Sequence, residues 1–159
     1  MAGPENGQPV ILLHGGGQTR HSWSKALSEL AAAGYKVISP DLRGHGESQW
    51  CPEGRYTLDD YMVDLGLIMG TLVSSPILVG ASLGGVVSLV GLGEQQLPPA
   101  RALVLVDVVP RMESAGVKEI IDFMSANSGG FVSIDAAAHA VGQYLPHRPR
   151  RSRRDCLLK

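Results

Sequence analysis

The chain has 159 residues, 44% of them hydrophobic and 18% charged, with a net charge of −1. These values suit one globular domain with a real core. They exclude a disordered chain and give no global pull toward nucleic acid or an anionic membrane. Two cysteines, Cys51 and Cys156, lie far apart without metal-like spacing, so neither a disulfide framework nor a metal site is expected. No basic-then-apolar leader opens the chain, and no apolar run is long enough to span a bilayer, so a cytoplasmic protein is expected.

Met1 to Gln8 is rich in Gly, Pro and Asn and reads as loose. Pro9-Val10-Ile11-Leu12-Leu13 is a continuous apolar run, as a strand buried on both faces requires, and it ends in His14-Gly15-Gly16-Gly17. Trp23, Ala26, Leu27, Leu30 and Ala31 recur at helical spacing, with Ser22 placed to cap and Gly34 to stop the helix. Tyr35 to Ser39 reads as a second strand, and Asp41 to Ser48 as a polar loop after it. Thr57 and Asp60 form a capping-box pattern, with Asp for the usual Glu, ahead of a helix carrying Tyr61, Met62, Leu65, Ile68, Met69 and Leu72.

Pro76 to Gly80 is the third strand and leads straight into Gly80-Ala81-Ser82-Leu83-Gly84, after which Val86, Val87, Leu89, Val90 and Leu92 suggest a helix. Strand, sharp turn and helix are the context in which Gly-x-Ser-x-Gly forms a nucleophile elbow. The two glycines keep the space around a strained serine free, and the adjoining helix start favours a developing negative charge. Arg101 to Val109 is the fourth strand. Strands alternating with helices imply right-handed crossovers and a parallel sheet.

Beyond Pro110, Val117, Ile120, Ile121 and Met124 suggest a short helix, and Ser133 caps another carrying Ile134, Ala137, Ala138, Val141 and Leu145. The stretch from Pro146 to Arg154 is arginine-rich and reads as a solvated run rather than a nucleic-acid patch.

Four features together resemble the α/β-hydrolase fold family, in its branch of lid-bearing serine hydrolases that includes esterases and haloperoxidase-like proteins. They are His14-Gly15-Gly16-Gly17, Asp41-Leu42-Arg43-Gly44-His45-Gly46-Glu47-Ser48, the elbow from Gly80 to Gly84, and Leu105-Val106-Asp107, each at a strand end. The resemblance implies an α/β fold: a parallel sheet of about four strands with flanking helices over residues 1–110, then the start of a helical lid and a basic tail over 111–159. It implies the spatial strand order second, first, third, fourth, with the glycine loop facing Ser82 across the switch point. It also implies Ser82 as nucleophile, the backbone amides of Gly16 and Leu83 as oxyanion donors, a small-molecule acyl substrate and no cofactor. The glycine loop read by itself also fits a plain turn or a phosphate cradle, although it lacks the Lys-Ser/Thr ending of a P-loop.

A serine needs a histidine base oriented by a carboxylate, and the family supplies them in the order Ser, Asp/Glu, His. Asp107 is the candidate acid, while His139 and His147 follow it in the right order but on a lid helix and in the tail. His14 and Asp41 to Ser48 read as scaffold. The expectation is therefore a partial copy of the fold, weakly active or inactive, with exposed sheet edges that favour self-association. The alternative is a remnant that has lost catalysis and binds a ligand or partner.

Overall fold

The computed structural model describes residues 1–108, 114–126 and 129–144. The chain divides into two compact units, Met1–Pro110 and Arg111–Lys159. In the first unit the order is β1 (Pro9–Leu13), a 3-10 turn (Arg20–Trp23), α1 (Ser24–Ala32), β2 (Lys36–Ile38), α2 (Leu58–Gly70), β3 (Ile77–Ala81), α3 (Leu83–Gly93) and β4 (Ala102–Val106). The strands form one parallel sheet in the order β2-β1-β3-β4. This is the order the resemblance implied.

All five residues of β1 are buried, because helices cover both sheet faces there. Val10 and Leu12 pack with Val37 against Trp23, Ala26, Leu27, Leu30 and Ala31 of the 3-10 turn and α1. Ile11 and Leu13 point the other way, into a core with Leu78, Tyr61, Met62, Leu65 and Met69, closed by Val87 of α3. Alternate residues of one strand thus serve two cores, which is why the run is apolar throughout.

The helix ends follow local chemistry. Thr57 accepts from the Asp60 amide, and the Asp60 carboxylate accepts from the Thr57 amide, so the capping box is complete with Asp in the third position. After α1, Gly34 takes φ 91°, its amide bonds Ala31 O, and the Tyr35 amide bonds Leu30 O. That pair of bonds is a Schellman stop, and only glycine enters it without strain.

Three readings need correction. Ser22 does not cap α1, which is entered through the 3-10 turn with Trp23 at the cap position and no side-chain cap bond. Met1 to Gln8 is not loose: Ala2 and Val37 exchange two backbone bonds (3.0 and 2.8 Å), and the Gln8 side chain donates to Ser75 O at 2.8 Å. The outer edge of β2 is therefore partly paired. The fourth strand ends at Val106 because Asp107 turns to φ 55°; Val109 lies outside the described residues.

In the second unit, α4 (Ser114–Ala126) and α5 (Ile134–Tyr144) are helical, and the Ser133 hydroxyl accepts from the Ala136 amide at 3.1 Å as the expected cap. Leu145, His147 and the arginine-rich tail lie outside the described residues. Among the described residues, no helix is long and apolar enough to cross a membrane.

Candidate active site

β3 passes into α3 through one residue, Ser82, at φ 42° and ψ −113°. A non-glycine residue held there is strained, and strain of this kind persists only when its surroundings impose it. A Cβ at Gly80 would lie 2.5 Å from Gly84 O and Gly85 N, and one at Gly84 would lie 2.5 Å from Leu13 Cβ. The glycines therefore let the start of α3 press onto β3 and β1; their task is close packing more than clearing space around the serine. Three backbone bonds hold the turn: Ser82 N–H to Val106 O (3.2 Å), Gly84 N–H to His14 O (3.2 Å) and Val86 N–H to Ser82 O (2.9 Å). Ser88, fully buried, adds a hydroxyl bond to Gly84 O at 2.8 Å. Ser82 is exposed at the carboxyl end of the sheet, and its hydroxyl has no hydrogen-bond partner among the described residues.

The glycine loop lies against this turn. A Cβ on Gly15 would come within 3.3 Å of Ser82 Cβ, whereas one on Gly16 would meet nothing within 4 Å. The closest approach of the glycine loop to Ser82 is thus at Gly15. The amides of Gly16 and Leu83 make no hydrogen bond among the described residues, while the Gly15 amide bonds Gln18 Oε1 (3.2 Å) and the Gly17 amide bonds His45 Nε2 (3.1 Å).

Both histidines of this region are committed to the scaffold. His14 is fully buried; its Nε2 accepts from the Leu42 amide at 3.0 Å, so its proton sits on Nδ1 and is donated to Gly15 O at 2.9 Å. Burial lowers the His14 pKa below its ordinary value, with the Gly15 bond opposing and the neighbouring His45 assisting. His45 repeats the arrangement, with Nδ1 donating to Arg43 O at 3.0 Å, and the two rings lie 5.1 Å apart.

The loop from Asp41 to Ser48 is built as scaffold, bonded within itself and to Arg20, Gly17 and α2. The buried Asp41 carboxylate accepts from the amides of Arg20 (2.6 Å) and Glu47 (3.1 Å) and pairs with the Arg20 guanidinium; the Ser48 hydroxyl donates to Asp41 O at 2.6 Å. Burial alone would raise the Asp41 pKa, but the two amides and the Arg20 charge outweigh it and hold the carboxyl below 3.8. Arg43 grips Asp64 of α2 with two bonds (2.6 and 2.7 Å). The roles of Arg20 and Ser88 and the partner of His45 had no mark in the sequence, since Arg20 and His45 bond partners 21 and 28 residues away and Ser88 sits unremarkably in a helix.

Asp107 follows Val106, which pairs with Ala81 in register and accepts from the Ser82 amide. The structure thus brings Asp107 to the same end of the sheet as Ser82, one strand over, exposed and with no hydrogen bond among the described residues. Within the first unit, no described histidine bonds Ser82. His139 lies on α5 of the second unit. A cavity of about 640 Å³ opens between residues 40–52 and α2, floored by Leu13, Leu42 and Leu65 and flanked by Trp50; Ser82 does not line it.

A parallel β2-β1-β3-β4 sheet with a strained serine between β3 and α3, faced by a glycine loop, defines a class of α/β enzyme scaffold. The chain belongs to the alpha/beta hydrolase family, whose model matches residues 10–157. It is 31% identical over 141 residues to a Caenorhabditis elegans protein described as probable protein phosphatase methylesterase 1, covering 84% of this chain and 39% of that one. It is 36% identical over 102 residues to an esterase of Mycobacterium tuberculosis, covering 64% and 33%. Among solved structures, an alpha/beta hydrolase fold protein from Burkholderia ambifaria superposes with a TM-score of 0.72 at 22% identity, over 97% of this chain and 56% of that one. A thermophilic esterase from Thermogutta terrifontis superposes with a TM-score of 0.64 at 30% identity, over 80% and 45%. The chain therefore spans well under two thirds of the length of these relatives.

Proposed function

We propose that this chain carries the nucleophile half of an ester hydrolase working through an acyl-enzyme on Ser82. The observation that carries the reading is Ser82 itself: positive φ, exposed, at a helix start and against a glycine loop, where the amides of Leu83 and Gly16 make no hydrogen bond among the described residues. In the reaction, Ser82 Oγ bonds to the acyl carbon and gives its proton to a base. The amides of Leu83 and Gly16 hold the oxyanion, the alcohol leaves with a proton, and water then releases the acid. Each such amide contributes about 3 kcal/mol to the transition state. Asp107 is the acid candidate, on its position beside Ser82 at the sheet end.

His14 and His45 cannot serve as base without giving up the bonds that hold the loops. This reading therefore assigns the chain a nucleophile and oxyanion donors, and gives weak or no turnover to the chain acting alone. The helices of 111–159 are taken as the start of a lid, on their place in the chain after β4. The committed state of both loop histidines also favours a second reading, a ligand-binding remnant that keeps the crevice without the chemistry.

Intact-mass measurement after incubation with a fluorophosphonate separates the two. The first reading expects one phosphonyl adduct on the wild type and none on Ser82→Ala, with a base other than His14 and His45 reaching Ser82 from this chain or a partner chain. A folded wild type that stays unlabelled supports the remnant instead.

A further inference from the structure

We propose that His45 is a positioning residue for the glycine loop, fixing the Gly16–Gly17 peptide next to the one that carries the Gly16 N–H, the oxyanion donor of the Ser82 reading on which this rests. The Gly15–Gly16 peptide is trans and planar, as the absence of cis bonds in the described chain requires, so its C=O and N–H point in opposite directions. Gly15 O is tied down by the Gln18 amide (3.1 Å) and by His14 Nδ1 (2.9 Å), which turns the Gly16 N–H away from both. Nothing comparable packs against Gly16 itself, since a Cβ there would find no atom within 4 Å. Gly17 stands at φ 71°. Two consecutive glycines have wide conformational freedom, so hydrogen bonds rather than side-chain packing must fix the next peptide. The bond that does so is Gly17 N–H to His45 Nε2, at 3.1 Å.

His45 is suited to this because it is itself braced. An amide can only donate, so Nε2 is the acceptor and the ring proton lies on Nδ1, where it meets Arg43 O at 3.0 Å. Arg43 is anchored on Asp64 of α2 by a two-bond fork, and the His45 ring rests 5.1 Å from that of His14. A continuous line of contacts therefore runs from α2 through Arg43 and His45 to Gly17. His45 touches no reacting atom in this scheme; it acts through the loop.

The test compares His45→Phe, which keeps a ring but loses the acceptor, with His45→Gln, whose Oε1 reaches about as far as Nε2. Two readouts are taken on the full chain: amide hydrogen exchange at Gly17 by NMR, and the rate of fluorophosphonate labelling at Ser82. We expect His45→Phe to exchange the Gly17 amide about 10-fold faster or more and to label about 10- to 100-fold more slowly, somewhat less than the loss of an oxyanion donor outright. His45→Gln should stay within about threefold of wild type in both, a rescue that a purely space-filling role would not give. His45→Ala carries the same expectation as His45→Phe and replaces it if the larger side chain prevents folding. Wild-type labelling rates in His45→Phe, or equal losses in His45→Gln, overturn the proposal. An unlabelled wild type overturns the Ser82 reading and the catalytic part of the role with it, whereas unchanged Gly17 exchange in His45→Phe overturns the clamp whatever Ser82 does.

Discussion

β1 and β4 are two pentapeptides of the same character, Pro-Val-Ile-Leu-Leu and Ala-Leu-Val-Leu-Val, with opposite fates. Every residue of β1 is buried, but in β4 exposed and half-buried residues alternate, and Val104 and Val106 are 45% and 40% exposed. The sequences do not differ in what they want; their neighbours differ. β1 pairs on both sides and has helices over both faces, whereas β4 pairs only with β3 among the described strands. Leu103 joins the core shared with α2 and α3, but among the described residues the face carrying Val104 has no buried cluster of its own. Apolar content thus reports a strand's capacity for burial, and topology decides how much of it is used.

The contrast breaks most sharply if the buried strand is hollowed out. Ile11 is fully buried between β2 and β3, so Ile11→Ala should cost about 2–5 kcal/mol of unfolding free energy, read from urea titration. A loss of about 1 kcal/mol or less would mean that the first unit is packed far more loosely than its burial indicates. Next comes the contact that joins β1 to the elbow. Gly84→Ala places a methyl 2.5 Å from Leu13 Cβ and 2.7 Å from Leu13 O, and backbone cannot yield cheaply there. It should cost about 1–3 kcal/mol and slow labelling of Ser82, because the serine is held by the same packing. Gly16→Ala, which meets nothing, is the control and should leave stability within about 0.5 kcal/mol.

Much of this architecture was legible in the residues. The alternation of apolar runs with helical spacing implied the parallel sheet, Thr57 and Asp60 marked a helix start, and Gly34 marked a stop, because each signal is local and its partner lies within a few residues. Gly80 to Gly84 announced the turn for the same reason. The exposed edge at β4 was expected from the strand order that the resemblance implied, but not from the residues of β4 themselves, since periodicity describes a strand's side chains and not the number of elements laid on them. The bridge from Ala2 to Val37, the pairing of Arg20 with Asp41 and the bond from Gly17 to His45 were hidden. They join residues far apart in the chain, and nothing about a lone Arg or His says which loop will fold beside it.

The ends of the two strands differ as their bodies do. His14, closing β1, is buried with both ring nitrogens bonded, whereas Asp107, after β4, is exposed. His14 is held neutral, its pKa in the folded chain lying below the ordinary 6.5, chiefly through burial. The unfolded chain therefore takes up the proton first as pH falls. The sign follows: stability is full above pH 6.5, declines as pH drops from there, and levels off once the folded state also protonates. Urea midpoints measured between pH 7.5 and 5.5 should fall in the wild type and stay flatter in His14→Gln, whatever that variant's absolute stability. Parallel declines in both would assign the effect to other groups.

The smallest effect on stability is expected on the open face of β4, where it is also most informative. Val104 is 45% exposed, so Val104→Lys removes little buried surface and should change unfolding free energy by about 0.5 kcal/mol or less. Its consequence should appear in association instead. A strand with one described neighbour and an apolar outer face is a template for another chain, and a lysine there opposes stacking and pairing by charge. Light scattering behind size exclusion should show the wild type shifting to larger species as concentration rises, and Val104→Lys shifting less. Val63→Lys, on the exposed side of α2 at 60% exposure, adds the same charge away from the sheet and should leave association as it was. If both lysines act equally, net charge is the cause; if the wild type stays monomeric throughout, the β4 face is not a self-association surface.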